Sequence, residues 1–452
     1  MQPSNISQFK IISSNLLVNK NGNEIAIDIT NDIIEFEVFE HIDKSYLTAR
    51  FVIVNRQSKF ESINFQGTEK VSIEFETFLN QENDAVQISK TFVAYKIAKS
   101  VMPTERQEVF YMNAYEDIAF QSSLININKC YSGNLTSIIG RIFSEYLSKS
   151  VISSDIAHQK ETKVIVPNLS PIRAAHWIKN SMTTSDGLPF FLFSTLAKDE
   201  IFLYDLGKLL RSTPVNQNYP FLYWQSSSNV LNAKFSPILK FKYENIENMF
   251  TLINNGAVSG QYNFIDTLKN KVDTVKFNSF DDAFSLLSEN DYIKTGHKTI
   301  SDNSYFNSKP ISSSQHKNIS IVSSSAAFTS ENYSISSLNE RSEKTEYSKN
   351  VISNSLKNFL SKAPISIIVD GAPFVTGTGH YTIGNTVRIL FLDNDVNNNQ
   401  ESLIDTKKSG DYIMCAAKHH FTTINTGTIR THLLCGKLSS FPTSASIQDF
   451  IS

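Results

Sequence analysis

Two adjacent histidines, His419 and His420, are the residues whose type first invites chemistry. Neighbouring side chains on a strand point to opposite faces, so the pair cannot ligate one ion without a bulge. No Cys, Asp or Glu stands nearby at a spacing that completes a tetrahedral set. A structural histidine, or one at an interface, is the better reading. Glu74 and Glu76 share a strand face at a spacing open to paired carboxylates. A glycosidase needs two carboxyls flanking a cleft, about 5 to 9 Å apart, in unlike surroundings. Two neighbours on a wet strand face have neither, and a solvated face is the plainer account. Gly377-Thr378-Gly379 lacks the Gly-Lys-Ser/Thr ending of a phosphate loop, and a hairpin rather than a helix follows it, so it reads as a turn. No Gly-x-Ser-x-Gly, His-Glu-x-x-His or Cys-x-x-Cys occurs. Cys130, Cys415 and Cys435 are too few and too far apart for a disulfide framework or a zinc site. No catalytic, cofactor-binding or metal-ligating residue is assigned, and no enzyme is expected.

The elements that would position these residues are mostly strands. Between residues 24 and 115, six segments alternate apolar and polar residues or are rich in β-branched and aromatic ones. Phe36 and Val38 oppose Glu35 and Glu37, and Ile73 and Phe75 oppose Glu74 and Glu76, so one face is buried and one is wet. Six such strands with short loops predict a small closed barrel or sandwich. After residue 116 the period changes. Asn134 opens a helix with Leu135, Ile138, Ile139, Ile142, Phe143, Tyr146 and Leu147 on one face. Ser170-Pro171 opens a second, and residues 189–194 and 200–206 form a hairpin turning at Lys198-Asp199. Strands are expected again from 231 to about 266, then a short helix from Asp281 to Leu287. A Ser/Asn-rich tract at 301–330 has low hydrophobicity and no period and reads as a long loop or a mobile segment, and a helix at about 337–360 follows.

Residues 365–438 carry the clearest pattern. ISIIVDGAPF, YTIGNTVRILFL, SGDYIMCAAKHHF and GTIRTHLLCGKL are apolar pieces separated by turn residues at Asp370-Gly371, Gly384-Asn385, Ser409-Gly410-Asp411 and Thr426-Gly427. Antiparallel strands joined by hairpins are predicted. Their order resembles the last barrel of the baseplate central hub proteins of contractile-tailed phages of the T-even type, which adapt a tail tube to a central spike. The family's acidic residue in the Gly-Asn turn is here Asn385, and its Pro-rich loop is replaced by Thr376-Gly377-Thr378-Gly379.

The resemblance implies a mostly β chain with α+β accessory parts: two tube-like antiparallel β-barrel domains plus two inserted domains. The expected division is a first barrel at 1–115 and an α+β accessory domain at 116–230. The second barrel is split into 231–262 and 363–440 by an inserted domain at 263–362, and a tail occupies 441–452. It further implies a structural virion protein, a homotrimer whose partners are the central spike protein and the tail tube or tube-initiator protein. Tape-measure and baseplate wedge proteins are further partners. The expected place is the phage tail baseplate, assembled in the host cytoplasm. The rivals are a β-rich hydrolase of cell-wall glycan, and a spike or adhesin module of a related contractile injection system.

Bulk composition agrees with a folded protein of this kind. The 452 residues are 40% hydrophobic and 19% charged, enough for two to four domains. A net charge of −2 supplies no basic field, so no specific nucleic-acid binding is expected. The apolar runs are too short for membrane insertion, and MQPSNISQFK is unlike a signal peptide. Three finer expectations follow. A hairpin turning about Asn425 pairs positions summing to 850, which sets Cys415 opposite Cys435, close and reduced. Some of Glu35, Glu37, Glu74 and Glu76 line a bore, since a passage for DNA must not hold phosphate; the plain alternative is outer surface or pairing with Lys96 and Lys99. The resemblance implies that three copies form a ring in which the two barrels alternate.

Overall fold

Alternation closes the first barrel. In β3 (Ile33–His41) Phe36 and Val38 are buried, while Glu35 and Glu37 face outward between them. The structure, a computed structural model, describes residues 8–20, 23–56, 59–61, 63–78, 86–101, 108–154, 161–223, 235–243, 249–266, 270–294, 296–299, 305–311, 317–323, 336–337, 344–360, 364–375, 383–392, 404–423 and 427–442. The expected turns at 377–379 and Asn425 and nearly all of the tail lie outside them.

Among the described residues seven strands precede the first helix: β1 (Gln8–Lys20), β2 (Asn23–Asp28), β3, β4 (Thr48–Asn55), β5 (Lys70–Phe78), β6 (Val86–Val101) and β7 (Glu108–Glu116). An α+β unit follows. It holds α1 (Asp117–Ser123), β8 (Cys130–Asn134), α2 (Leu135–Leu147), β9 (Val151–Ser153), β10 (Glu161–Ile165), α3 (Pro171–Lys179), β11 (Phe190–Ser194), β12 (Ile201–Asp205) and α4 (Leu206–Arg211). Then come β13 (Phe221–Tyr223), β14 (Ser236–Pro237), β15 (Lys240–Tyr243), α5 (Met249–Asn254), β16 (Gly260–Asp266), β17 (Lys271–Phe277) and α6 (Ser279–Glu289). Short strands β18 (Lys298–Thr299), β19 (Tyr305–Phe306) and β20 (Lys309–Pro310) lead to β21 (Lys317–Ser323), β22 (Ser336–Ser337) and α7 (Lys344–Phe359). The last elements among the described residues are β23 (Ile365–Asp370), α8 (Ala372–Val375), β24 (Thr386–Phe391), β25 (Gly410–Thr422), β26 (Thr428–Gly436) and β27 (Ser439–Ser440).

The architecture is mostly β, and one long hairpin serves two barrels. The first barrel runs β3-β4-β7-β6-β5-β1, and the 416–422 part of β25, with the start of β26, fills the gap between β3 and β1. The seam to β1 is the single pair Gln8–Thr428. Gly427 makes it possible. Its φ of +58° is left-handed, and a Cβ there would lie 2.5 Å from the Phe9 carbonyl oxygen. Phe421 enters this core from the hairpin. It stacks on Phe36 at 4.2 Å between ring centroids and meets Phe75 and Phe9 edge-on at 5.0 and 5.2 Å. Burying each such ring is worth about 1.5–3 kcal/mol.

The second barrel uses the other half of the same hairpin, in the order β13-β24-β25-β26-β23-β15. Its circuit closes because β14 pairs with β13 and runs within two residues into β15. Ile238 N donates to Leu222 O at 3.1 Å and Leu239 N to Ile368 O at 2.9 Å across that junction. The β-bulge at Cys415 falls where β25 passes from one barrel to the other, a place where extra twist is needed.

Several strands pair differently from the expected grouping. β1 lies outside the six expected segments, and its SSN at 13–15 breaks the alternation. β13, expected in the accessory unit, pairs with β24. MFTLIN is the helix α5 rather than a strand, an ambiguity common to short apolar runs. β16 pairs with β17 and β21 in a separate three-stranded sheet instead of opening the second barrel. Asp370-Gly371 leads into α8, and β23 pairs with β26 and β15. Part of the Ser/Asn-rich tract forms β21.

Candidate functional site

The outer face of the first barrel follows from strand register. Arg430, His420, Glu37, Arg50, Asn113 and Lys96 form one cross-strand row over β26, β25, β3, β4, β7 and β6. The next outward row holds His432, Lys418, Phe39, Thr48 and Tyr115. Tyr95 sits at a bulge in β6, and its ring stacks on Tyr115 at 4.1 Å. Tyr46 meets Tyr115 edge-on at 5.8 Å.

Cations outnumber carboxylates along these rows, with Arg430, Arg50, Lys96 and Lys418 against Glu37. Lys418 Nζ lies 3.0 Å from Glu37, Arg50 4.0 Å from the same carboxylate, and His420 Nε2 3.4 Å from Glu35. Lys99 pairs with Glu108, and Lys96 stands opposite Asn113. Glu35 and Glu37 are therefore outer-surface residues in cross-strand pairs, with partners other than the expected Lys96 and Lys99. Glu74 and Glu76 lie on the outer face of β5. Glu74 accepts from Ser13 Oγ at 3.1 Å and from Gln87, while Glu76 stands opposite Lys10 and Gln87. With Glu24 and Asp28 on the outer side of β2, this flank holds four carboxylates beside Lys10 and Lys70.

The two histidines diverge as strand geometry demands. His419 is buried, with Nδ1 3.0 Å from Thr431 Oγ1 and Nε2 3.4 Å from Glu40 Oε1. Glu40 also accepts from Leu196 N at 2.5 Å, which seats the β11–β12 hairpin on the end of β3. His420 faces outward. Among the described residues no group of three His, Cys, Asp or Glu is arranged to hold a metal ion.

The 850 register holds from Ala416–Leu434 to Thr422–Thr428 and then slips at the bulge, so Cys435 pairs with Met414 instead of Cys415. Both thiols are free. Burial pushes Cys415 up to about 12 and Cys435 well above its ordinary value.

Sequence reading did not find three buried charge clusters. Asp411 takes two bonds from Arg388, Nε at 2.8 Å and Nη2 at 3.1 Å, and one from Lys294 at 2.5 Å. Burial works to raise this carboxyl, yet these cations hold it below the ordinary range. Lys437 donates to the Lys407 and Ser409 carbonyls at 2.7 Å each, and burial draws it down to about 7. In the third, Asp43 of the β3–β4 loop pairs with fully buried Lys179 of α3, beside Lys357 of α7. Ser45 Oγ lies 3.2 Å from His176 Nε2 there, but Ser45 is inaccessible and burial draws His176 down to about 4. This hydroxyl–imidazole pair is packing, with no route for a substrate. Charged partners so far apart in sequence leave no local pattern to read.

No family model matches the chain. No curated protein matches it. Among solved structures, it is similar to a tail protein of Neisseria meningitidis MC58 at 11% identity and a TM-score of 0.45, over 94% of this chain and 96% of that one. A 43 kDa tail protein of prophage MuSo2 from Shewanella oneidensis is 8% identical with a TM-score of 0.46, over 93% and 97%. A component of the Escherichia coli type VI secretion system, described as structurally similar to the T4 tail proteins gp27 and gp5, is 7% identical with a TM-score of 0.39, over 97% and 77%.

Proposed function

We propose that this chain is a non-enzymatic structural protein of a contractile tail, the baseplate hub that joins a hexameric tube to a trimeric spike. One observation carries the reading: a single chain builds two closed barrels on one shared hairpin, with α+β units inserted between. Three copies of such a chain present six barrels to a sixfold ring while keeping threefold symmetry for the spike. The outward rows of Tyr95, Tyr115, Phe39 and Arg50 have the composition of a protein contact surface. Their partners on this reading are a second copy, the tube or tube-initiator protein and the spike, with tape-measure and wedge proteins beyond. The place of action is the virion.

The test is the mass of the complex formed with the spike protein from the same genome, measured by light scattering. Three copies of this chain per complex are expected. A stable complex with one, two or four copies refutes the hub reading.

A further inference from the structure

The shared hairpin is open at its second-barrel end, and one buried ammonium fastens it there. β25 starts at Gly410 and β26 stops at Gly436, with Ile413–Gly436 as the outermost pair between them. Lys437 follows at once. Its side chain is buried and runs over Gly410, where a Cβ would lie 3.0 Å from Lys437 Cδ. Nζ reaches the turn at 405–409 that leads into β25, and donates to the Lys407 and Ser409 carbonyls at 2.7 Å each. The Tyr412 ring faces the same ammonium, 5.0 Å from Nζ to its centroid.

These partners are not those of an ion pair. Among the described residues the carboxylate whose charge reaches Lys437 is Asp405, and it is taken up elsewhere: by Lys408 Nζ at 2.9 Å and by the N–H groups of Lys407 and Lys408 at 3.0 and 3.2 Å. The ammonium has three donors, and two carbonyl dipoles and a π face receive them. The turn is built for this. Its three successive carbonyls, from 407 to 409, all accept from side chains. Lys408 O accepts from Tyr412 Oη at 2.7 Å, and Lys407 O takes a second bond from Tyr243 Oη at 3.2 Å. Ser409 N donates to Asp405 O at 2.8 Å, and Ser409 Oγ accepts from Phe391 N at 2.8 Å, so the turn is held at both ends. Fixed backbone carbonyls can replace the hydration shell of a monovalent cation, and an aromatic face adds to its binding.

We propose that the 405–409 turn is a monovalent-cation site whose resident ion is the Lys437 ammonium, and that it accepts a free ammonium or potassium ion when that side chain is cut back. The donor set selects the ion. Neutral carbonyl oxygens and a ring suit a single, weakly hydrated charge, whereas magnesium and calcium are held largely through carboxylates, and Asp405 is already engaged. The site lies where β25 begins and β26 ends, so the cation in it ties together the two strands that serve both barrels. This role concerns the fastening of the hairpin alone and does not depend on the hub reading.

The experiment is thermal unfolding of the full chain in the chlorides of ammonium, potassium, lithium and tetramethylammonium at one ionic strength. It is run at pH 6, below the value of about 7 to which burial draws Lys437. Lys437→Ala is expected to unfold at a lower temperature than the unaltered protein in the lithium and tetramethylammonium salts, and to recover in ammonium or potassium chloride. Above the dissociation constant of the ion, the folding equilibrium should gain about tenfold for each tenfold rise in its concentration. Lys437→Met, which keeps the stem in place without the charge, is expected to show no preference among the four salts, and so is the unaltered protein. Equal unfolding temperatures for Lys437→Ala in all four salts, or the same ranking of salts in Lys437→Met, overturns the proposal. If Lys437→Ala does not fold in the lithium salt, the refolded fraction in each salt is the readout, and a fraction independent of the cation overturns it equally.

Discussion

At the scale of single residues, burial decides which groups can react. Of the three cysteines Cys130 is exposed, Cys415 half-buried and Cys435 buried, and only thiolate attacks. Burial opposes ionisation of both Cys415 and Cys435, whereas Cys130 stands on the surface of β8. Titration of the native protein with an aromatic disulfide reagent at pH 8 is expected to release one fast equivalent, and three after denaturation. Two or more fast equivalents would mean that the hairpin opens at its bulge. The same bulge shows how far residue-level reading reached. Pairing positions by a constant sum placed seven pairs of β25 and β26 correctly. It failed at Cys415, because a one-residue bulge answers to the junction of two barrels and leaves no mark in the local alternation.

At the scale of elements, the 410–436 hairpin is the part on which both barrels depend. Phe421 and Ile429 are its contributions to the first core, and Tyr412, Met414, Leu433 and Cys435 are among its contributions to the second. Phe421→Ala is expected to cost about 3–5 kcal/mol, as for other buried aromatic truncations. The loss should not be confined to one barrel. Strands β25 and β26 are continuous, so denaturant unfolding followed at probes in β5 and in β24 is expected to shift together. A first-barrel probe that shifts alone would show that the halves of the hairpin are independent. Strand existence was legible wherever apolar residues alternated, as in β3 and β5, and helix α2 was legible down to its Asn134 cap, whose side chain accepts from Ser137 N. Pairing over long sequence distance was not. The seating of residues 416–423 beside β3 joins partners as far apart as Thr423 and Ile33, 390 positions, and nothing in either segment names the other.

For the whole molecule, the hub reading proposed above asks which outer flank of the barrels would face a central passage. The β3–β4 flank is a poor candidate, because Glu35 and Glu37 are matched by His420, Lys418 and Arg50. The β5–β1–β2 flank, with Glu74, Glu76, Glu24 and Asp28 beside Lys10 and Lys70, is the better one. A passage for DNA is best lined this way, since each cation presented to phosphate adds salt-dependent affinity. Placing a cysteine at the outer side of β5, Glu76→Cys in a Cys130→Ser background, turns the idea into a size measurement on the complex with the spike. A small maleimide is expected to label the site, and a bulky polymer-linked maleimide is expected to be kept out by the narrow passage. The free chain should accept both, because β5 carries its carboxylates on an open face. Labelling of the complex by both reagents would put this flank on the outside of the assembly. Labelling by neither would put it in a contact between copies, and in both cases the acidic flank would not line the passage.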